Sequence, residues 1–415
     1  MTHTLVSFLG RARQDPETGY RAARYRFPDG SEHNTPFFGL ALKDHLKPDH
    51  LVVLGTAGSM WDVLIEHLAT EGDEETLRLE LIDAAEKSRV NNELMTRITP
   101  LIERNLSLPC TLTLIDYGRD TEEQQNILRD IAKAIPTGSD HISLDLTHGF
   151  RHLAALGLLS AFFLERVTNL PIQGLYYGAN DMRTANDITP VIHLDGLIAI
   201  QHWNDALDRF DQNGDYAVFA PLLQADGMPT DKTQCLKRAA YYERTLNLND
   251  ARAQIQSFLL TLDAPLTGPS ALFQDALKQR LAWARNGNLF NHQARLARFY
   301  LGNDDYLRAA LFGYEAIITR ECGKRGLNPH DWKQDRIRVT RELEKQLSEN
   351  ARLEEIRRAY WMLKNLRNSL AHGNPPQNED HREIIANPER LPQELKKAMN
   401  VMLNNQNRTV ERTHA

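Results

Sequence analysis

The stretch "HISLDLTHGFRHLAALGLLSAFFL", residues 141–164, decides how the first half of the chain is read. Ile142, Leu144 and Leu146 alternate with polar neighbours as in a strand. From Leu153 to Leu164 the chain is apolar apart from small residues, long enough for a buried helix. Asp145, Thr147, His148, Gly149 and Arg151 lie between, so a strand-turn-helix junction is expected with its polar residues concentrated in the turn. The first N–H groups of such a helix, together with its dipole, make an anion site at the carboxyl edge of a parallel sheet. On that reading Gly149 admits a ligand close to the backbone, Thr147 caps the helix and Arg151 returns its charge to the same spot. The alternative is a capped turn in which Asp145 and Arg151 form a structural ion pair.

Outward from this junction, short strand-like runs alternate with amphipathic stretches: "TLVSFLG", "HLVVLG", "TLTLID", "HISLDL" and "IQGLYYG". Such alternation requires crossover connections, and predicts an α/β Rossmann-like domain with a parallel-rich sheet over residues 1–195. Residues 20–35 read as an inserted hairpin turning at Pro28, Asp29 and Gly30, with Arg21, Arg24 and Arg26 on a solvated edge. Two further turns belong with the one at Thr147. In "LVVLGTAGSMW" a strand ends at Gly55, the turn Thr56 to Gly58 follows, and Ser59 is placed to cap a helix starting at Met60 and Trp61. In "LVSFLGRAR" the strand ends at Gly10, beside Arg11. A doubly wound sheet brings all three turns to one edge, where hydroxyls, Arg11, His148 and Arg151 suit a phosphate-bearing ligand. There is no GxGxxG and no GxxxxGK[ST], which disfavours a dinucleotide enzyme and a P-loop NTPase.

Composition bounds these readings. The 415 residues suffice for two or three domains, and 41% hydrophobic with 25% charged residues is ordinary for a globular protein. A formal net charge of −6 argues against a whole-surface grip on nucleic acid, so any such contact belongs to a local patch. Three scattered cysteines give neither a disulfide framework nor a zinc spacing. "MTHTLVSFLG" is too short and strand-like for a signal peptide and no apolar run spans a bilayer, so no membrane contact and a cytoplasmic location are expected.

Beyond about residue 196 the strands stop and helices are broken at "DQNGD", "ADGMPTD", "LTGPS", "LGNDD" and "RGLNPHD". An all-α connector is assigned to residues 196–285 and an all-α C-terminal domain to 286–415. In "NARLEEIRRAYWMLKNLRNSLAHGNPP", Leu353, Ile356, Tyr360, Leu363, Arg367 and Leu370 follow an a/d pattern, which sets Arg367 on an apolar seam. Gly373 and Pro375 end the helix beside His372. Arg367, Asn368 and His372 suit metal-independent RNA cleavage. A 2′-hydroxyl must lose a proton as it attacks the adjacent phosphate, the leaving oxygen must gain one, and the phosphorane needs a fixed positive charge. His372 would move protons, Arg367 hold phosphoryl oxygens and Asn368 orient either group, with no metal and no cofactor. The competing reading is that Arg367 is a buried ion-pair residue. Arg285 and His292, Arg325 and His330, and Arg408 and His414 repeat the spacing, but without an apolar seam and a defined helix end.

With "GTAGSMW", "DLTHGFR" and "RNSLAH" in this order, the chain resembles the CRISPR-associated CARF-HEPN ribonucleases of the DxTHG group. The resemblance implies an accessory ribonuclease of type III CRISPR defence that cuts single-stranded RNA. It also implies a homodimer or higher oligomer, activated by a cyclic oligoadenylate second messenger, the cyclic tetra-adenylate favoured over the hexa-adenylate. By motif position the messenger would contact Gly10, Arg11, Gly55, Thr56, Ser59, Trp61, Asp145, Thr147, His148, Gly149 and Arg151. Arg367, Asn368 and His372 would form each half of a HEPN nuclease site. Two other functions compete. One is a ligand-sensing regulator whose HEPN-like domain only dimerises. The other is a ring nuclease in which Thr56, Ser59 or His148 assists cleavage of the messenger itself.

Overall fold

The computed structural model describes residues 1–11, 14, 15, 19–66, 68 and 70–404. All five expected strand runs form. Numbered within the eight-stranded sheet, they are β1 (His3–Leu9), β4 (His50–Gly55), β5 (Cys110–Leu114), β6 (His141–Asp145) and β7 (Ile172–Gly178). The inserted hairpin supplies β2 (Ala23–Arg26) and β3 (Glu32–Thr35), and an unanticipated strand, β8, covers Ile188–His193. The order is β3-β2-β8-β7-β6-β1-β4-β5. Its half from β7 to β5 is wholly parallel, while β8 runs antiparallel to β7.

Both faces of the parallel half are covered, which is why its strands are nearly continuous in apolar residues. Leu5, Leu51 and Val53 face one way, onto helices α1 (Phe38–Leu46), α2 (Asp73–Glu86) and α3 (Asn92–Leu106). Val6, Phe8, Val52 and Leu54, offset by one residue, face the other, onto α4 (Thr121–Ala134) and α5 (Arg151–Thr168). From β1 the chain moves outward to β4 and β5, then returns to the far side of β1 as β6. That reversal opens a crevice at the carboxyl ends of β1, β4 and β6.

The chain divides into two compact units, Met1–Gln201 and His202–Ala415. The second is built of helices alone among the described residues, and its breaks fall at the expected polar turns, with helices ending at Asn213, Ala225 and Gly302. One cluster of buried side chains extends from Trp203 to Leu403 and includes residues on both sides of position 285. Among the described residues no helix is long and apolar enough to cross a membrane.

Candidate functional site

The three turns meet through backbone. A Cβ on Gly10 would lie 2.5 Å from the amide nitrogen of Gly149, itself at φ +95°, so glycine at both positions is what lets the β1 and β6 turns touch. The β4 turn is fastened to the same place. Ser59 Oγ donates to the Leu9 carbonyl at 2.7 Å and accepts from the Thr56 amide at 3.0 Å, and the Met60 amide donates to the Gly10 carbonyl at 2.9 Å. Trp61, fully buried, donates its indole N–H to the Thr56 carbonyl at 2.9 Å.

Several expected roles are corrected by this geometry. Ser59 caps no helix: its hydroxyl is used between turns, and a 3₁₀ segment, Trp61–Ile65, follows without a side-chain cap. Thr147 does not cap α5 either, since Phe150 occupies that position; its hydroxyl accepts from the Gly178 amide at 2.8 Å and ties the turn to β7. Nor do Asp145 and Arg151 pair. Asp145 is fully buried, accepting from Ser7 Oγ at 2.5 Å and the Thr147 amide at 2.8 Å, whereas Arg151 is exposed. Burial raises the Asp145 carboxyl to about 6 against those two hydrogen bonds. His148 Nε2 accepts from the Phe38 amide at the start of α1, at 3.0 Å, and burial lowers the ring to about 4. Its neutral imidazole is therefore committed to holding α1.

What remains open is a cavity of about 360 Å³ lined by Gly10, Arg11, Thr56, Ser59 and Gly149, together with Gly58, Ser88, Tyr117, Phe150 and Leu153. Five of the eleven expected contacts thus converge on it. Gly55, Trp61, Asp145, Thr147 and His148 build its frame without lining it, and Arg151 lies outside the lining. The rings of Tyr117 and Phe150 are 6.1 Å apart, Phe150 being half exposed, which provides flat apolar surface beside the glycine turns. Tyr117 went unnoticed in the sequence although it directly follows "TLTLID", the fourth strand to end on this edge.

In the second unit, Arg367, Asn368 and His372 lie on the last turns of the helix Glu354–His372, which stops at Gly373 with φ +65°. Arg367 Nη1 donates to Asn368 Oδ1 at 2.7 Å, its guanidinium covers the Tyr314 ring at 4.5 Å, and Nη2 is 3.8 Å from Glu315 Oε1. Glu315 also pairs with Arg336 at 2.5 Å, so its charge is shared, and Arg367 Nε is buried without an acceptor among the described residues. His372 is exposed. At about 100° per residue, Arg367 and His372 project roughly 140° apart around the helix, whereas Asn368 and His372 share a face. The rival pairs are arranged differently. His292 is buried in the helix Leu289–Gly302, beyond Gly287 at φ +116°, while Arg285 is exposed. Arg325 is paired with Glu321 at 2.7 Å. Arg408 and His414 lie outside the described residues.

Residues 4–181 match the family model for the CARF domain of CRISPR system endoribonuclease Csx1. That span contains the β1, β4 and β6 turns and the whole cavity lining. The CRISPR-associated protein MJ1674 of Methanocaldococcus jannaschii is 24% identical over 416 residues, an alignment covering 92% of this chain. The chain spans 63% of that relative's length. Among solved structures, Enterococcus italicus Csm6 bound to cyclic hexa-2′-fluoro-hexa-dAMP aligns over 97% of this chain and 93% of its own, with 13% identity and a TM-score of 0.38.

Proposed function

We propose that the chain is a cyclic oligoadenylate-activated, metal-independent endoribonuclease of type III CRISPR defence, working as a homodimer on single-stranded RNA. The observation that carries the sensing half is the cavity at the carboxyl edge of β1, β4 and β6, within the segment that matches the CARF family. Backbone amides at Gly10 and Gly149 and the Arg11 guanidinium offer donors to phosphate, and Tyr117 and Phe150 offer ring faces to adenine. A cyclic tetra-adenylate is the favoured activator.

The nuclease half rests on Arg367, Asn368 and His372 within residues 286–415, with residues 196–285 as connector. His372 takes the proton of the ribose 2′-hydroxyl as that oxygen attacks the adjacent phosphorus, or returns one to the departing 5′-oxygen, and Arg367 neutralises the phosphorane oxygens. Asn368, bonded to Arg367 and on the face of His372, orients the guanidinium. Because Arg367 and His372 of one helix diverge, a site in which two copies meet across a two-fold axis supplies each phosphate from both chains.

The test is incubation of pure protein with labelled RNA in chelator, with and without cyclic tetra- or hexa-adenylate. Cleavage that depends on the messenger and leaves 2′,3′-cyclic phosphate or 3′-phosphate ends is expected. Activity lost in chelator and restored by magnesium or manganese would refute the metal-independent mechanism.

A further inference from the structure

A second cavity, of about 650 Å³, lies wholly within the helical unit and is unrelated to Arg367 and His372 in its lining. Its size falls in the range of small-ligand sites. Phe210 contributes from the helix Asp195–Asn213, Gln279 and Arg280 from Ser270–Leu281, Trp283, Arg285 and Asn286 from the following turn, and Arg295 and Phe299 from Leu289–Gly302. Among the described residues three guanidiniums and no carboxylate line it, on a chain whose net charge is −6.

The three arginines are not equivalent. Arg280 is neutralised, with Nη2 donating to Glu243 at 2.6 Å and to the Gly214 carbonyl at 3.1 Å, and its guanidinium stands 4.0 Å over the Phe299 ring. Arg295 donates through Nη1 to the Asn286 carbonyl at 2.8 Å, which fixes the turn while leaving its charge without a carboxylate among the described residues. Arg285, exposed on that turn, has no ion pair among the described residues. Two buried donors in the walls, Trp283 Nε1 and Arg280 Nε, lack acceptors among the described residues. Uncompensated positive charge beside flat rings and the exposed side-chain amides of Gln279 and Asn286 matches a phosphate joined to a base. An acidic peptide would use the arginines and leave the rings idle.

We propose that this cavity seats one nucleotide of a single-stranded RNA, its phosphate against Arg285 and Arg295 and its base against Phe210 and Phe299. The inference deepens the RNA-cleaving reading and rests on it for the choice of a strand over a free nucleotide.

The experiment uses the full chain carrying His372→Ala, so that RNA is bound and not cut, and follows a short labelled strand by fluorescence anisotropy across a series of salt concentrations. Adding Arg285→Ala should weaken binding about tenfold and lower the slope of log affinity against log salt by about one, and Arg285→Lys should restore most of both. A strand with abasic positions should bind about tenfold more weakly. No measurable binding at low salt, an unchanged slope in Arg285→Ala, or equal affinity for the abasic strand would each overturn the proposal. Adenosine monophosphate binding as tightly as the strand would assign the cavity to a free nucleotide and also overturn it. Because nothing is cleaved here, a failure of the nuclease reading appears separately, as parent protein that binds RNA and leaves it whole.

Discussion

Two ionisable side chains three residues apart in one turn, Asp145 fully buried and His148 half-buried, have opposite consequences for stability. The Asp145 carboxyl, raised from 3.8 to about 6, holds its proton more tightly folded than unfolded, so its contribution to stability falls as pH rises from about 4 to 6. The His148 imidazole, lowered from 6.5 to about 4, contributes stability that is complete above pH 6.5 and lost as pH falls towards 4. The two partly cancel, each being on the order of 3 kcal/mol. Removing either should unmask the other. Asp145→Asn should make the loss of stability between pH 7 and about pH 4.5 steeper than in the parent, and His148→Gln should make it shallower, read from urea midpoints at each pH. Parallel profiles for all three proteins would contradict the assignment. These roles were not legible in "DLTHG" because they depend on Ser7, Phe38 and Gly178, which only the folded sheet brings near.

At the scale of elements, α5 explains why its sequence is apolar almost all round. Its inner face, with Leu153, Ala161 and Leu164, covers the sheet, while Leu159, Phe163 and Val167 form an outer stripe at four-residue spacing, each more than half exposed. Within its own unit that stripe is left exposed by the described residues; a second copy across a two-fold axis would bury it, at about 1.5–3 kcal/mol for each side chain fully removed from water. Leu159→Glu and Phe163→Glu should therefore convert a dimer to monomer in light scattering while the circular dichroism of the chain is retained. Dimers that persist in both variants would exclude this face as the interface. The helix and the five strands were readable because burial on one or two faces imposes a period. Strand β8 was not: Pro190 interrupts "ITPVIH", and it forms by pairing with β7 and β2, whose alignment no local pattern announces.

For the whole molecule, the question is whether one chain can cut RNA alone. Arg367 is held by Asn368, Tyr314 and Glu315 and leaves its helix roughly 140° from His372, so the two groups do not naturally converge on one phosphate. The helix that carries "RNSLAH" and its end at Gly373 were legible in the sequence, but this divergence was not, since a letter pattern carries no direction. Replacing Arg367 or His372 by Ala should lower messenger-activated cleavage about a hundredfold or more, the range for losing a charge-stabilising or proton-transfer group. Arg367→Lys should fail to rescue, because an ammonium cannot keep the planar fork bonded to Asn368 while reaching a phosphoryl oxygen. Purified hybrid dimers decide the architecture. If both chains serve one phosphate, a dimer of wild-type and Arg367→Ala chains loses most of its activity, because its single site lacks one guanidinium. If each chain works alone, the hybrid keeps about half the wild-type rate, and the two-fold site must be abandoned.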